Sequence, residues 1–398
     1  MMSDQLVSVN PTLAEVHSVC KEALKVYDPF YAETFIASYI SNRLPDDPIW
    51  IFFVGPPSSN KSLFMRCIED LPDYKQMSKM TPNSLISGSP TYPGLITEIN
   101  GKVLCFNDFG AILSMDTKDK LEIWGQIREL YDGKLSRAVG NKPPMEYNGI
   151  KVSLIANTTA AIDRERAIFA KLGSREIMYR LKKHTRSESK LTTRNLINYN
   201  TDDIKNAITS VLVPFIENLN PSQVFPISDE LADWIDEVAY FVGVMRAPAT
   251  YDQYTGEVAG FVDEEETPRL VKTFVKLYRC LKSLDPNYPD ERAKQIILHI
   301  AISTSQPIRV RLLSVLCSVK DNPCVSYNEP QQWSTYELSK VIGIGEKACI
   351  SQLATMSALG VVNMIQTNDR YRPEYKWEIT KAGREIFSII SDYEGPEQ

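Results

Sequence analysis

Three short apolar runs alternate with amphipathic stretches in the first part of the chain. The runs are IWIFFVG (49–55), KVLCFNDF (102–109) and KVSLIANTT (151–159). Continuous apolar runs of this length are typical of strands buried on both faces of a parallel sheet. The stretches KSLFMRCIEDL (61–71) and KDKLEIWGQIRELYDG (118–133) have helical periodicity. Strands that alternate with helices predict an α/β fold whose parallel sheet is covered on both faces.

Other segments predict further elements. Residues 1–48 have a helical pattern, KLSRAVGNKPPMEYNG (134–149) is typical of a hairpin, and the polar stretch from about 185 to 225 is expected to be a connection. From about residue 325, two helical segments precede a strand pair and a last helix, which is the pattern of a winged helix. The predicted domains are an N-terminal helical segment (1–48), an α/β core (49–190), a linker with a helical lid (191–322) and a winged-helix domain (323–398).

Composition narrows the class of protein. The 398 residues are 43% hydrophobic and 24% charged, which is ordinary for a globular chain. The net charge of −6 gives no bulk signal for nucleic acid, so any DNA contact would need basic residues focused in one place. Seven cysteines without a CxxC pair argue against a zinc site or a disulfide framework. No apolar run has the ~20 residues of a membrane span, and the N-terminus lacks a signal-peptide pattern, so a cytoplasmic protein without a membrane partner is expected.

The first apolar run leads into a candidate phosphate-binding loop. Between the predicted strand and helix stands Gly55-Pro56-Pro57-Ser58-Ser59-Asn60-Lys61-Ser62, which fits the P-loop frame with Asn60 in place of the second glycine. Such a loop turns backbone N–H groups toward phosphate and needs positive φ at some positions, which Asn tolerates best after Gly. Lys61 is expected to contact the β and γ phosphates of ATP, and the Ser62 hydroxyl to ligate Mg²⁺. The opposing interpretation is a Pro/Ser-rich turn that matches by chance.

Polar residues end the other two predicted strands. Asp108 is a candidate ligand of Mg²⁺ and a candidate acid for polarising water. Most ATP-driven motor proteins with such a loop have a second acid at the position of Asn107. Either one acid performs both tasks or hydrolysis is slow. Asn157 is a candidate for orienting the attacking water. The structural alternatives are a capping Asp and a turn-forming Asn. Farther along, Arg175 in LGSREI is either an arginine finger or a surface arginine in a salt bridge.

This ordered set of motifs resembles the AAA+ ATPases. The closest resemblance is to the branch that contains the minichromosome maintenance replicative helicases and their phage or mobile-element relatives. GPPSSNKS is similar to the family's phosphate-binding loop, and GLITEINGKVLCFNDF (94–109) to the stretch that leads into its Walker B strand. The resemblance implies an AAA+ parallel-sheet core with a helical lid and a C-terminal winged helix. It also implies a homo-oligomer, expected to be a hexameric ring, with DNA and replication proteins as partners.

The resemblance also assigns roles to single residues. Asn157 corresponds to sensor 1, Arg175 to a finger that acts on a neighbouring subunit's site, and Arg269 to sensor 2. A pre-sensor hairpin would project Arg137 and Lys142 into the pore of the ring, where single-stranded DNA would pass.

Three functional hypotheses remain open at this point. The leading one is an ATP-dependent DNA helicase or translocase in the replication of a phage or mobile element. The first alternative is a helicase loader or initiator that hydrolyses ATP slowly, which Asn107 favours. The second is a nucleotide-dependent regulatory or defence protein that acts through protein contacts. The second helix of the predicted winged helix favours that alternative, because Lys347 is its one basic residue and Ser351 and Gln352 are its other candidates for base contacts.

Overall fold

The computed structural model describes residues 10–78, 80–87, 94–137, 145–166, 173–221, 225–251, 258–260, 262–318, 332–367 and 374–395. The chain divides into two compact units. The first unit contains Met1–Ile227, Lys272–Ile300 and Gly395–Gln398, and the second contains Ser228–Val271 and Ala301–Glu394. Each unit is therefore built from segments that are not contiguous in the sequence, whereas the predicted boundaries at 48, 190 and 322 follow the order of the chain.

The elements up to residue 227 belong to the first unit. Its strands are β1 (Trp50–Val54), β2 (Tyr74–Met77), β3 (Val103–Phe106), β4 (Lys134–Arg137), β5 (Met145–Asn148), β6 (Ser153–Thr158) and β7 (Ile177–Arg180). Its helices are α1 (Leu13–Leu24), α2 (Pro29–Ile40), α3 (Lys61–Cys67), α4 (Ile96–Ile99), α5 (Gly110–Leu113), α6 (Thr117–Tyr131), α7 (Arg186–Asn198) and α8 (Thr201–Asn218). Two further helices, α9 (Asp229–Arg246) and α10 (Pro268–Lys282), follow, and α10 continues from the second unit back into the first.

A five-stranded parallel sheet forms the centre of the first unit, in the order β2-β3-β6-β1-β7. The three predicted strands are its three inner strands. All five residues of β1 are buried, because alternate side chains face opposite covered faces. Phe52 packs against Phe109 and Trp124 on one face, while Phe53 meets Phe35 and Tyr31 of α2 on the other. The predicted α/β fold with a parallel sheet is thus confirmed.

The predicted hairpin also forms as a separate antiparallel pair. In its register, Lys134 lies opposite Asn148 and Arg137 lies opposite Met145. Leu135 of β4 is buried in the same apolar core as α6 and the sheet, which fixes the base of the hairpin to the unit.

The prediction of a connection from about 185 to 225 is wrong, because helices α7 and α8 occupy most of this stretch. The helix α7 begins with a capping box, in which the Thr185 side chain accepts from the Glu188 backbone and Glu188 accepts from the Thr185 N–H. The helix α8 buries Ile204, Ile208 and Leu212 at helical spacing. The Ser/Thr/Asn content of this stretch therefore supplies caps and exposed faces.

A buried carboxylate joins three segments of the first unit. Glu33 of α2 has no exposed surface. Its Oε1 lies 2.8 Å from Nε2 of His17 and 2.7 Å from a guanidinium nitrogen of Arg292, and the Tyr288 hydroxyl donates to its Oε2. Burial alone would raise the pKa of Glu33, but the hydrogen bonds from His17 and Arg292 outweigh it and hold that pKa below its ordinary value.

The second unit is mainly helical and ends in a small sheet. After α9 and the start of α10 it contains the end of α11 (Asp290–Thr304), α12 (Pro307–Cys317), α13 (Thr335–Ile342), α14 (Glu346–Ala358) and α15 (Lys381–Ser388). The strands β8 (Trp333–Ser334), β9 (Val362–Thr367) and β10 (Glu374–Ile379) form an antiparallel sheet in the order β8-β10-β9. Two helices followed by a β-ribbon thus occur where the sequence pattern predicts them.

Candidate functional site

A cavity of about 370 Å³ lies at the carboxyl ends of β1, β3 and β6. The carboxyl edge of a parallel sheet is where ligands of α/β proteins generally bind. Its lining residues come from the predicted loop, from the ends of β3 and β6, and from four helices. They are Leu24, Pro57, Ser58, Ser59, Asn60, Lys61, Ser62, Leu63, Arg66, Asn107, Asp108, Asn157, Thr158, Thr159, Thr192, Asn195, Leu196, Thr201 and Ile204.

The loop at one wall of this cavity has the backbone that a phosphate cradle needs. Ser58 has φ 62° and Asn60 has φ 61°, so both lie in the left-handed region. Residues there turn their backbone N–H groups inward, and such concavities bind anions. Asn60 stands at the position of the missing glycine, and its left-handed backbone confirms that this position requires positive φ. The Tyr31 hydroxyl donates to the carbonyl of Lys61 at 3.0 Å and fixes the end of the loop to α2.

Lys61 is folded back onto this loop. Its Nζ donates to the carbonyls of Gly55 and Pro56 at 2.8 and 2.7 Å and to Ser59 Oγ at 2.9 Å. Burial lowers the pKa of Lys61, and the nearby charge of Asp108 opposes that shift. Three neutral acceptors are weaker partners for an ammonium group than a phosphate is. Lys61 is therefore placed to exchange them for an anion in the cavity.

The end of β3 brings oxygen atoms next to the loop. Ser62 Oγ donates to the carbonyl of Asn107 at 3.3 Å. The Asn107 Oδ1 atom is buried and has no hydrogen-bond partner among the described residues. Asp108 is exposed at the cavity, and its Oδ1 accepts from the Gly110 N–H at 2.8 Å. A hydroxyl, a carboxylate and an orphaned amide oxygen are hard donors of the kind that Mg²⁺ prefers.

No cluster of three His, Cys, Asp or Glu side chains that could hold a metal occurs in the described ranges. Mg²⁺ usually takes one or two carboxylates and completes its shell with water and substrate phosphates. Ser62 and Asp108 fit such a set. Zinc chemistry would instead need several nitrogen or sulfur ligands.

Asn157 lies at the end of β6, the strand between β1 and β3. Its backbone carbonyl accepts from Phe109 N–H at 2.8 Å, which links it to the residue after Asp108. The side chain is 2% exposed. Its Nδ2 points at the thioether of Met65 at 3.4 Å, and its Oδ1 has no partner among the described residues. The topology thus places a buried, unsatisfied oxygen between the loop and the acid.

Two predicted site residues lie away from the cavity and contact other parts of the first unit. Arg175 stacks over the Tyr131 ring at 5.6 Å, and its Nη2 lies 3.4 Å from Asp132. Arg137 donates to the carbonyls of Ile86 and Pro82 at 2.8 and 3.2 Å. Arg137 therefore holds the hairpin against the segment at 82–86, and its guanidinium does not extend from the hairpin tip.

The remaining two predicted residues are placed differently. Lys142 lies outside the described residues. Arg269 lies in the second unit, where its guanidinium contacts the Glu265 carboxylate.

Sequence reasoning missed the cavity wall formed by α7 and α8. Thr192, Asn195 and Leu196 of α7 line the cavity together with Thr201 and Ile204 of α8. The capping-box pattern Thr-x-x-Glu at 185–188 was the signal that could have identified α7 as a helix. No local pattern indicates that this helix faces the loop, because the contact joins residues more than a hundred positions apart.

The second helix of the predicted winged helix is α14, and one of its few candidates for base contacts is used within the second unit. Gln352 accepts from Nε of Arg309 at 2.9 Å and donates to the Tyr251 hydroxyl at 3.3 Å. Thr355 also contacts that hydroxyl, at 2.8 Å. One of the few polar side chains that could meet bases is thus engaged with α12 and the segment after α9.

A scan of the chain against protein-family models finds no match, and a search among curated proteins finds none either. Among the described residues, no helix has the length and apolar character needed to cross a bilayer.

Proposed function

We propose that this chain binds ATP with Mg²⁺ and hydrolyses its γ phosphate. The observation that carries the proposal is the cavity itself. In it, a loop with two left-handed residues lies beside Lys61 and Ser62. Asp108 and the orphaned oxygen of Asn157 line the same cavity. Few other ligands need this combination of inward N–H groups, a lysine and oxygen donors at a sheet edge.

Each residue has a distinct task in this reaction. The backbone N–H groups of the loop bind the phosphates, and Lys61 leaves its carbonyl acceptors to contact the β and γ phosphates. Ser62 and Asp108 would hold Mg²⁺, which neutralises charge that develops on the phosphate oxygens. Asn157 Oδ1 accepts a hydrogen bond from the attacking water and orients it in line with the γ phosphate.

The finer assignment of the fold is part of the same proposal. An AAA+ core with a helical lid and a winged-helix domain is supported by the strand β6 inserted between the loop strand and the acidic strand, and by the two helices and β-ribbon at 335–379. On that assignment the chain forms a homo-oligomeric ring, expected to be a hexamer, and acts as a DNA helicase or translocase on single-stranded DNA. Arg175 would have to leave Tyr131 and Asp132 to reach a neighbouring subunit's site.

A nucleotide-dependent switch is the second candidate, and specific observations favour it. Asn107 replaces an acid next to Asp108, which predicts slow hydrolysis and suits a loader or initiator. Arg137 and Gln352, two of the candidate DNA contacts, are engaged within the chain. Those contacts favour a regulator that acts through protein surfaces.

The test is steady-state ATPase activity of the full chain with and without single-stranded DNA. Lys61→Ala should abolish turnover, and Lys118→Ala, at an exposed lysine on α6, should leave it unchanged. Stimulation by DNA that disappears in Lys142→Glu would support the translocase. ATP binding with little turnover, unchanged by DNA, would exclude the translocase and leave the switch. No ATP binding at all would refute the whole proposal.

A further inference from the structure

The cavity has a second wall that the triphosphate does not use. If the phosphates lie on the loop, as the proposed function requires, the nucleoside is left to meet the side chains from α1, α7 and α8. Leu24 and Ile204 are buried apolar side chains there, with 5% and 2% exposure. Leu196 also lines the cavity and is 51% exposed, so a planar base against it would cover apolar surface.

One polar side chain on this wall is held in a single orientation. Asn195 is 6% exposed, and its Nδ2 donates to the carbonyl of Ala23 in α1 at 2.6 Å. Only the amide nitrogen can donate to a carbonyl, so this contact identifies which side-chain atom is Nδ2 and which is Oδ1. Among the described residues, the bond to Ala23 is the hydrogen bond found for the Asn195 amide, and it uses the nitrogen. The oxygen is therefore the polar atom that Asn195 keeps for a ligand in the cavity.

We infer that Asn195 is the residue that selects the base, and that it selects a purine with an amino group at position 6. The Asn195 oxygen is an acceptor, so it pairs with the amino group of adenine. It is repelled by the carbonyl oxygen at position 6 of guanine or hypoxanthine, which is also an acceptor. A buried polar group that loses its partner penalises the wrong ligand more than the right one gains. The inference rests on the proposed function, since it places the phosphates on the loop.

A smaller cavity of about 70 Å³ next to the loop is the competing place for a base. It shares Leu24, Ser59 and Asn60 with the main cavity, and its other lining residues include Tyr27, Tyr31 and residues after β7. The main cavity is favoured because it is larger and is lined by the phosphate-binding side chains and Asn195 alike.

The experiment compares ADP with IDP, which differ at position 6, an amino group in one and an oxygen in the other, and at N1, which accepts in adenine and carries a hydrogen in hypoxanthine. Isothermal titration calorimetry with Mg²⁺ and the full chain avoids turnover during the measurement. The wild-type chain should bind ADP about ten- to a hundredfold more tightly than IDP. Asn195→Leu, which keeps the shape and removes both polar atoms, should bring that ratio to about one by weakening ADP binding. Asn198→Leu, at an exposed asparagine on the same helix, should leave the ratio unchanged.

The possible outcomes distinguish a wrong role for Asn195 from a wrong proposed function. Equal binding of ADP and IDP to the wild-type chain, or an undiminished preference in Asn195→Leu, would overturn the assignment of Asn195 and leave nucleotide binding standing. Failure of either nucleotide to bind the wild-type chain would refute the proposed function itself. Purine riboside 5′-diphosphate, with no group at position 6, provides a test without any variant. It should bind the wild-type chain more weakly than ADP and more tightly than IDP, and any other order overturns the inference.

Discussion

The orphaned amide of Asn157 leads to a prediction in which stability and activity change in opposite directions. The side chain is 2% exposed, its Oδ1 has no partner among the described residues, and its Nδ2 meets only a thioether. Leaving a buried polar atom unsatisfied costs about 1–3 kcal/mol, and sulfur is a weak acceptor. Asn157→Leu keeps the volume and removes the unsatisfied oxygen. Without nucleotide, the variant should therefore be more stable by about 1 kcal/mol.

In a chain of this size that gain corresponds to a rise in Tm of about 1–2 °C. The same substitution removes the acceptor proposed to orient water, so kcat for ATP should fall on the order of a hundredfold. Affinity for ATP should stay nearly unchanged, because the phosphates are bound by the loop and Lys61.

Thermal unfolding without nucleotide and steady-state ATPase assays measure both effects. The matched control is Asn42→Leu. That buried asparagine is satisfied, since its Nδ2 donates to the Gly101 carbonyl at 2.7 Å and its Oδ1 accepts from Ser153 at 3.1 Å. The control should lower Tm. If Asn157→Leu lowers Tm as much as Asn42→Leu does, the amide is satisfied in solution and the reasoning is refuted. An unchanged kcat would refute its role with water.

Other predictions concern charged and polar groups of the first unit. Glu33→Ala leaves the Arg292 guanidinium without its carboxylate and should cost about 3 kcal/mol in urea unfolding. Because the folded pKa of Glu33 lies below the unfolded value of about 4.3, its contribution is present above that pH and is lost as pH falls through the folded pKa. A stability curve that loses this contribution on raising pH would contradict the assignment. Asn107→Asp should lower the Mg²⁺ concentration for half-maximal ATPase activity by about tenfold, and no change would exclude Asn107 from the metal shell. Arg175→Ala and Lys61→Ala should each be inactive alone and regain partial activity when mixed, since some interfaces then contain both intact residues; inactivity at every ratio would exclude a composite site.

The site was predictable to the extent that its residues follow strands that the sequence marks clearly. β1, β3 and β6 are buried on both faces, so their apolar runs are continuous and the polar residue after each run is easy to find. The edge strands β2 and β7 were missed. Both are four residues long, which is too short for a clear periodicity, and in β2 only Met77 is buried.

The surroundings of a candidate DNA contact could not be predicted from the sequence. The family resemblance implies a pore position for Arg137, and in the structure its guanidinium donates to carbonyls some fifty residues earlier in the chain. The pattern of a hairpin fixes which residues face each other across two strands, and it contains nothing about the segment against which the hairpin packs.

By itself the sequence determined the local features of this protein, which are the three inner strands, the loop with its lysine and serine, and the polar residues that end the strands. These depend on periodicity and on backbone preferences, and both act over a few residues. The tertiary structure decided the order in which the strands lie, and so brought Asn157 between the loop and Asp108. It also set α7 against the cavity and fixed Asn195 on Ala23. Such contacts depend on how buried surfaces from distant segments fit together, which is a property of the packed chain and not of any short stretch of it.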